Sequence, residues 1–263
     1  MVEYLAGNRI RGTNSERVSN ATLTFSDDFS SDNATDQHAN IGVANNRWEF
    51  DFQRSGSNES SALTLSSALS NTWCMDFDFY LNAVTLGNTA GWFAVSNEDE
   101  TSSRSGTSKH SVYVCFGGGS GTDDNIFLRS TYNSSMSNGD NGTAAFSLTT
   151  DNADLTTHFC RMIRDGTVIK LIFYTTIDRT TVSETLETTI NSSATGLQYI
   201  VLHNFDNFSG HSGTLTGYID NIKIYDTVTS PITYPLNVVD GSIFYETDTN
   251  KEYILSNNTW TEV

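Results

Sequence analysis

The chain has 263 residues, of which 37% are hydrophobic and 11% aromatic, and its formal net charge is −17. This acidic balance argues against nucleic-acid binding, which needs clustered Lys and Arg, and against adsorption to anionic lipid. No run approaches the roughly 20 apolar residues that span a bilayer, and the first residues lack the apolar stretch of a secretory signal. We therefore expect no nucleic-acid partner, no membrane insertion and no signal peptide.

The chain begins with a polar segment and continues with strands that alternate with period two. Residues 1–21 are polar and slightly basic, and we interpret them as an assembly arm that docks on an acidic neighbour. Residues 22–36 are typical of a strand that runs into an acidic loop. In 47–54 and 73–81, aromatic or apolar residues occupy every second position, which predicts that one face of each strand packs in a core. The predicted core positions are Trp48, Phe50, Phe52, Trp73, Met75, Phe77, Phe79 and Leu81.

Further short strands follow at regular spacing, with turn-forming loops and no helical period between them. The runs that predict them are 90–96, 111–116, 125–130, 144–148, 181–190, 197–203 and 217–225. Residues 158–176 predict an antiparallel hairpin, because an Asp165-Gly166 loop adopts the positive φ angles that match the twist of two paired strands. This succession predicts an all-β fold, an antiparallel sandwich of two sheets.

The only two prolines of the chain, Pro231 and Pro235, separate this body from a C-terminal part. Proline lacks a backbone donor and stiffens a connection, so we place a linker there. Residues 240–263 are typical of a small three-stranded β-meander, with turns at 247–250 and 256–258. The predicted units are the arm, 1–21, the sandwich, 22–227, and the linker with the C-terminal β-meander, 228–263.

Three cysteines, Cys74, Cys115 and Cys160, lie in apolar strand-like runs. We interpret them as buried free thiols. Their odd number leaves at least one of them unpaired within the chain, and a Cys115–Cys160 disulfide is the alternative that the sequence leaves open.

Three motifs resemble those of concanavalin A-like, laminin G-type jelly rolls. They are the opening Phe25-Ser-Asp-Asp-Phe-Ser30, the Arg164-Asp-Gly166 turn of the predicted hairpin, and the closing Gly217-Tyr-Ile-Asp-Asn-Ile-Lys-Ile-Tyr225. This resemblance implies a jelly-roll β-sandwich over 22–227. The tail resembles short modules at the ends of many phage and archaeal-virus structural proteins, and the arm is similar to leaders on proteins of that kind.

The same superfamily includes laminarinase-type glucanases, whose Glu-x-Asp-x-x-Glu signature supplies a nucleophile and a general acid/base. The nearest match here is Glu49-Phe-Asp-Phe-Gln-Arg54, in which Arg54 stands at the place of the last carboxylate. Period-two alternation already accounts for Glu49 and Asp51 as solvent-facing positions. We therefore predict no catalytic residues.

The first and last strands of such a sandwich often lie side by side, which would bring Asp27 and Asp28 close to Asp220. Carboxylate oxygens suit Ca²⁺, and related jelly rolls often carry a structural calcium there. We predict a structural calcium at these three residues, and turn capping by their side chains is the alternative. Three potential metal ligands follow closely in the sequence, His203, Asp206 and His211. Their spacing fits no standard metal-binding motif.

A glycan site needs exposed aromatic rings beside polar groups. Trp92, Tyr113 and Tyr132 border long loops and are the candidate glycan-binding residues. The alternative for each ring is packing in the core or at a sheet edge.

Together these features predict a non-enzymatic structural protein of a virion or extracellular assembly, a capsid decoration or fibre-like component on the virion or extracellular surface. The arm and the tail would contact other copies of the chain or neighbouring virion proteins, and the lectin-like sandwich would meet host-surface glycans. A carbohydrate-binding adhesin or module is the alternative, and a laminarinase-like glycoside hydrolase is the third hypothesis.

Overall fold

The structure, a computed structural model, describes residues 3–5, 9–12, 22–36, 40–53, 59–86, 91–99, 109–118, 124–133, 135–138, 146–147, 157–177, 179, 181–204, 213–226, 241–256 and 259–263. All regular structure in these residues is β-strand, and the prediction of an all-β antiparallel jelly-roll sandwich is confirmed. None of them belongs to a helix that could cross a bilayer.

The strands are β1 (Glu3–Leu5), β2 (Arg9–Gly12), β3 (Thr22–Asp27), β4 (Thr35–Asp36), β5 (Ile41–Ala44), β6 (Arg47–Gln53), β7 (Ser60–Thr64), β8 (Thr72–Leu86), β9 (Gly91–Ser96), β10 (His110–Gly118), β11 (Asp124–Tyr132), β12 (Ser135–Asn138), β13 (Phe146–Ser147), β14 (Thr157–Asp165), β15 (Val168–Tyr174), β16 (Val182–Thr189), β17 (Tyr199–Asn204), β18 (Gly213–Asp226), β19 (Ile243–Glu246), β20 (Lys251–Ser256) and β21 (Thr259–Glu262).

Two large sheets form the sandwich. In the first, which we call the front sheet, the strand order is β16-β15-β14-β8-β18-β6-β5, and β3 also pairs with β18. In the second, the back sheet, the order is β12-β11-β10-β9-β17-β7-β4, and β13 also pairs with β11. The long strand β18 pairs with β6 over its first half and with β3 over its second half, so the first and last strands of the sandwich are neighbours as predicted.

Aromatic side chains of the two sheets meet in one core. Phe77 of the front sheet and Phe93 of the back sheet pack with their ring centroids 4.8 Å apart, and Phe29 packs on Trp48 at 5.8 Å. The positions that alternation assigned to the core are buried wherever their side chains are described. These are Trp48, Phe50, Trp73, Met75, Phe77, Phe79 and Leu81, each at most 3% exposed.

The predicted hairpin is formed by β14 and β15, with its loop shifted by one residue. Asp165 pairs with Val168, so the loop consists of Gly166 and Thr167 rather than Asp165 and Gly166. Gly166 has a φ of +61°, the left-handed conformation that such a loop requires. On β14, Cys160 and Met162 point into the core between the sheets.

A third sheet joins the two ends of the chain. β19, β20 and β21 form the predicted antiparallel meander, and β2 pairs in parallel with β19 while β1 pairs with β2. Phe244 and Trp260 pack edge to face in this sheet at 5.9 Å. A three-stranded meander is only marginally stable by itself. The two N-terminal strands enlarge it to a sheet of five strands. The boundaries of the three predicted units stay a prediction.

The cysteines are free and buried, as interpreted from the sequence. Cys160 lies in the core between the sheets, whereas Cys115 lies on the outer face of the back sheet beside Tyr113 and Val201. The alternative Cys115–Cys160 disulfide is therefore not formed.

The outer face of the front sheet is also buried at its centre, which differs from the expectation that alternating polar positions meet water. Asp76 on β8 and Arg161 on β14 face each other across the strand pair and are at most 1% exposed. The turn after β15 brings in Arg179, whose Nη2 donates to Asp78 Oδ1 at 2.5 Å. Alternation tells which residues share a face, but it does not tell whether that face is covered.

Tyr174 lies in this buried outer region and should make the protein sensitive to alkali. Burial raises the pKa of Tyr174 to about 12, against about 10 for an exposed tyrosine. A raised folded-state pKa stabilises the fold below pH 10, and this stabilisation is lost as the pH rises from about 10 to about 12. We expect the free energy of unfolding to fall by roughly 2 kcal/mol over this window from this group, and Tyr174→Phe to reduce the fall. Urea unfolding at a series of pH values measures it, with Tyr245→Phe in the third sheet as the matched control; equal pH dependence of both variants would contradict the prediction.

Candidate active site

A cleft of about 570 Å³ lies on the outer face of the front sheet, across β5, β6, β18 and β8. Its volume is within the range of small-molecule sites. The polar side chains that line it, with two tyrosines among them, are Asn40, Arg47, Glu49, Asp51, Tyr80, Asn82, Thr216 and Tyr218.

Two carboxyl groups enter the cleft because β6 alternates. Trp48 and Phe50 point into the core, so Glu49 and Asp51 project together from the opposite face. Two residues along a strand separate their Cα atoms by about 6–7 Å. The carboxyl groups are thus neighbours in one cleft rather than isolated surface charges.

The turn that precedes β6 positions Glu49. Asn45 and Asn46, both with φ above +50°, form the two-residue loop between β5 and β6. Such positive φ values suit the tight turn of a hairpin, and Asn tolerates them better than most residues. From this loop Asn45 Nδ2 donates a hydrogen bond to Glu49 Oε1 at 3.0 Å. On the other side of the cleft, the backbone N–H of Asp51 donates a hydrogen bond to the backbone oxygen of Asn40 at 2.8 Å.

An aromatic stack forms the floor next to Glu49. Tyr218 lies opposite Glu49 on β6 and opposite Tyr80 on β8. The rings of Tyr80 and Tyr218 are stacked, with centroids 5.1 Å apart and planes at 13°, and the Arg47 guanidinium lies 4.1 Å above the centre of the Tyr218 ring. Stacking and cation–π attraction hold these three side chains in one arrangement.

An irregularity in β18 allows Tyr80 and Tyr218 to stack. The register between β18 and β8 shifts between Thr216 and Gly217. A Cβ atom on Gly217 would lie 2.0 Å from the backbone oxygen of Tyr80. Only glycine allows the two backbones to approach this closely, and the close approach brings Tyr218 against Tyr80.

The predicted calcium ligands lie beside the cleft, and in the structure they cap turns. Asp27 accepts hydrogen bonds from Phe29 N at 2.7 Å and from Asn33 Nδ2 at 3.2 Å. Asp28 accepts from Ser30 N at 3.1 Å, and the hydrogen bonds from Ser30 lower the pKa of Asp28.

Asp220 lies at the second register shift of β18. It accepts from Asn221 N at 2.7 Å, and burial raises its pKa. Among the described residues, no group of three or more acidic, His or Cys side chains has a geometry that could hold a metal ion. Calcium binding by these three residues stays a prediction.

Of the aromatic residues proposed for glycan binding, Tyr113 and Tyr132 pack in different clusters. Tyr113 is 2% exposed and packs in the cluster on the outer face of the back sheet, whereas Tyr132 packs against the main core and stacks on His110. Trp92 belongs to β9, but its side chain lies outside the described part of the chain. Their role in glycan binding stays a prediction.

His203 is buried on β17, and its two predicted companions, Asp206 and His211, lie outside the described residues. The structure therefore adds no support to a metal site around His203.

Sequence reasoning missed most of the cleft. It placed Glu49 and Asp51 on the outer face but took them for ordinary solvent-facing residues. Tyr80 and Tyr218 could have been assigned to outer faces from alternation in their own strands. What no local pattern showed is that β6, β18 and β8 are neighbours, which is what brings the four side chains into one cleft.

Comparison with known proteins gives a likeness of fold. No protein family and no curated protein matches the chain. Solved structures that resemble it include a Bacillus licheniformis β-glucanase (12% identity, TM-score 0.48), endo-acting O-glycanases of the human gut microbiota that initiate mucin breakdown (13%, 0.47) and lectin II from Ulex europaeus (10%, 0.47). Each match covers 78% of this chain and 98–99% of the other. At these identities and scores the likeness concerns the fold alone, the jelly roll shared by glucanases and lectins.

The prediction of a non-enzymatic virion or assembly protein is corrected by these matches. They are mostly carbohydrate-active enzymes, including an alginate lyase and a transglycosylase, and no virion component is among these named structures. The prediction depended on the lack of a secretory signal, the viral-type tail and the missing last carboxylate of the glucanase signature. In the structure, strand β2 of the arm pairs with strand β19 of the tail within the same chain.

Proposed function

We propose that this protein acts on a polysaccharide, which lies along the cleft of the front sheet and is hydrolysed there by the carboxyl groups of Glu49 and Asp51. The observation that carries the proposal is the position of both carboxyl groups in one cleft of about 570 Å³, beside a tyrosine stack. The cleft, rather than the likeness of fold, supports the proposal, since function resides in the site.

Most glycoside hydrolases use two carboxyl groups. One protonates the leaving oxygen, and the other acts as a nucleophile or activates a water molecule. Glu49 and Asp51 supply the two groups from one strand, and Asn45 orients Glu49 through its amide. The side chains of Arg47, Asn82 and Thr216 add donors along the same cleft, where sugar hydroxyl groups would lie.

The experiment is an assay of reducing-end release from a panel of polysaccharides. We expect Glu49→Gln and Asp51→Asn each to lower the rate by about 10²-fold or more, the usual contribution of an acid or base in catalysis. Both variants keep the size and hydrogen-bonding capacity of the side chain, so binding of the substrate should persist.

Glu184→Gln is the matched control, because Glu184 is an exposed carboxyl group on β16 of the same sheet. Its activity should equal that of the original protein. The proposal fails if no polysaccharide releases reducing ends, or if all three variants are equally active.

A second function, glycan binding without cleavage, is favoured by one observation. The sequence has Arg54 where the laminarinase-type signature has its last carboxylate, so one carboxyl group of that signature is missing. Affinity electrophoresis in gels that contain each polysaccharide separates the two functions. Retarded migration without any reducing-end release would identify a binding protein.

A further inference from the structure

We infer that the cleft selects its polysaccharide by charge: it takes chains that are neutral or carry amino groups, and it rejects chains of uronic acids. This inference rests on the proposed function, because it concerns the ligand of the same cleft.

Acidic groups dominate the cleft and its border. Glu49 and Asp51 line it, and Glu59 holds Asn40 at its edge through hydrogen bonds of 2.9 and 3.0 Å from the Asn40 amide to both carboxylate oxygens. Asp220 and Asp28 lie beyond Tyr218, close enough to influence each other electrostatically. A carboxylate on every sugar of a bound chain would meet this negative field, which the net charge of −17 reinforces.

Arg47 is the only cation among the described residues that line the cleft, and its charge is already engaged. Its guanidinium lies against the ring of Tyr218 at 4.1 Å, and it interacts electrostatically with Asp220. Recognition of a uronate chain favours arginines or lysines that make paired hydrogen bonds to each carboxylate. Arg47 is a single cation beside the two carboxylates of Glu49 and Asp51, so the charge of the described lining stays negative.

Two arginines farther along the same face are paired with carboxylates. On β8 the outward positions before Tyr80 are Asp76 and Asp78, and they are paired with Arg161 and Arg179 at 2.6 and 2.5 Å. Because these two arginines are neutralised by buried carboxylates, they add little positive field to the cleft.

Length-matched oligosaccharides test the inference on the full chain. The probes are hexamers of glucose in several linkages, of glucosamine and of galacturonate, and calorimetry measures their dissociation constants at low and high salt. At low salt we expect the galacturonate hexamer to bind at least about tenfold more weakly than the best glucose hexamer, and the glucosamine hexamer to bind at least as well. The differences should shrink in high salt, because ions screen charges that lie beyond a few ångströms.

Two variants test whether the cleft causes this selectivity. Asp51→Asn should reduce the difference between the dissociation constants of the galacturonate and the glucose hexamers. Glu184→Gln, far along the sheet, should leave that difference unchanged. If the galacturonate hexamer binds as tightly as the glucose hexamers, the inference is overturned while the proposed function stands. If no hexamer of any class binds, the proposed function fails, and the inference fails with it.

Discussion

Replacing Arg161 with methionine is expected to lower the free energy of unfolding by about 3 kcal/mol or more, the usual cost of removing one partner from a buried ion pair. Arg161 donates from Nε and Nη2 to the two oxygens of Asp76 at 2.6 and 2.8 Å, and neither side chain is more than 1% exposed. Burial alone would lower the pKa of Arg161, but the charge and hydrogen bonds of Asp76 raise it. Without Arg161, the remaining ion-pair partner of Asp76 among the described residues is Arg179, whose Nε lies 3.9 Å from Asp76 Oδ1.

Urea unfolding of three variants measures this effect. The double variant Asp76→Leu, Arg161→Met should recover most of the lost stability, because apolar side chains of similar volume often replace a buried pair without cost. Lys170→Met is the matched control, since it breaks the exposed pair with Glu187 on the same sheet and should cost no more than about 0.5 kcal/mol. A loss for Arg161→Met as small as that of the control would show that the buried pair does not support the fold.

Replacing Gly217 with alanine is expected to cost about 3 kcal/mol and to damage the cleft at the same time. The added methyl group would lie 2.0 Å from the backbone oxygen of Tyr80 and 3.0 Å from the ring of Phe50, so the central strands β8 and β18 must separate. Overpacking of this kind costs about 1–3 kcal/mol where side chains can adjust, and here the obstacle is backbone. Because Tyr218 follows Gly217, the stack on Tyr80 should be displaced too.

Thermal unfolding and oligosaccharide binding are the two measurements. Gly241→Ala is the matched control: Gly241 has a φ of +90°, but an added methyl group would meet nothing within 4 Å, so only backbone strain of about 1 kcal/mol applies. Its glycan binding should be unchanged, since it lies in the third sheet. Equal stability of the two variants would refute the close approach of β8 and β18.

Part of the candidate site follows from local sequence. The alternation of Trp48 and Phe50 with Glu49 and Asp51 fixed the two faces of β6, because a strand places successive side chains on opposite sides. The same rule predicted the buried row of β8 and the hairpin of β14 and β15. It failed for β7, where Ser60, Ser61 and Ala62 are all buried and no alternation of polarity marks the strand.

The sequence by itself determined the class of fold, the main strands and the inward aromatic rows, since each of these depends on residues that are close along the chain. Only the tertiary structure decided that β18 lies between β6 and β8, that Gly217 lets Tyr218 meet Tyr80, and that the outer face of β8 is buried around Asp76 but open around Tyr80. The physical reason is that strand neighbours are chosen by pairing across more than a hundred residues, which no local pattern encodes.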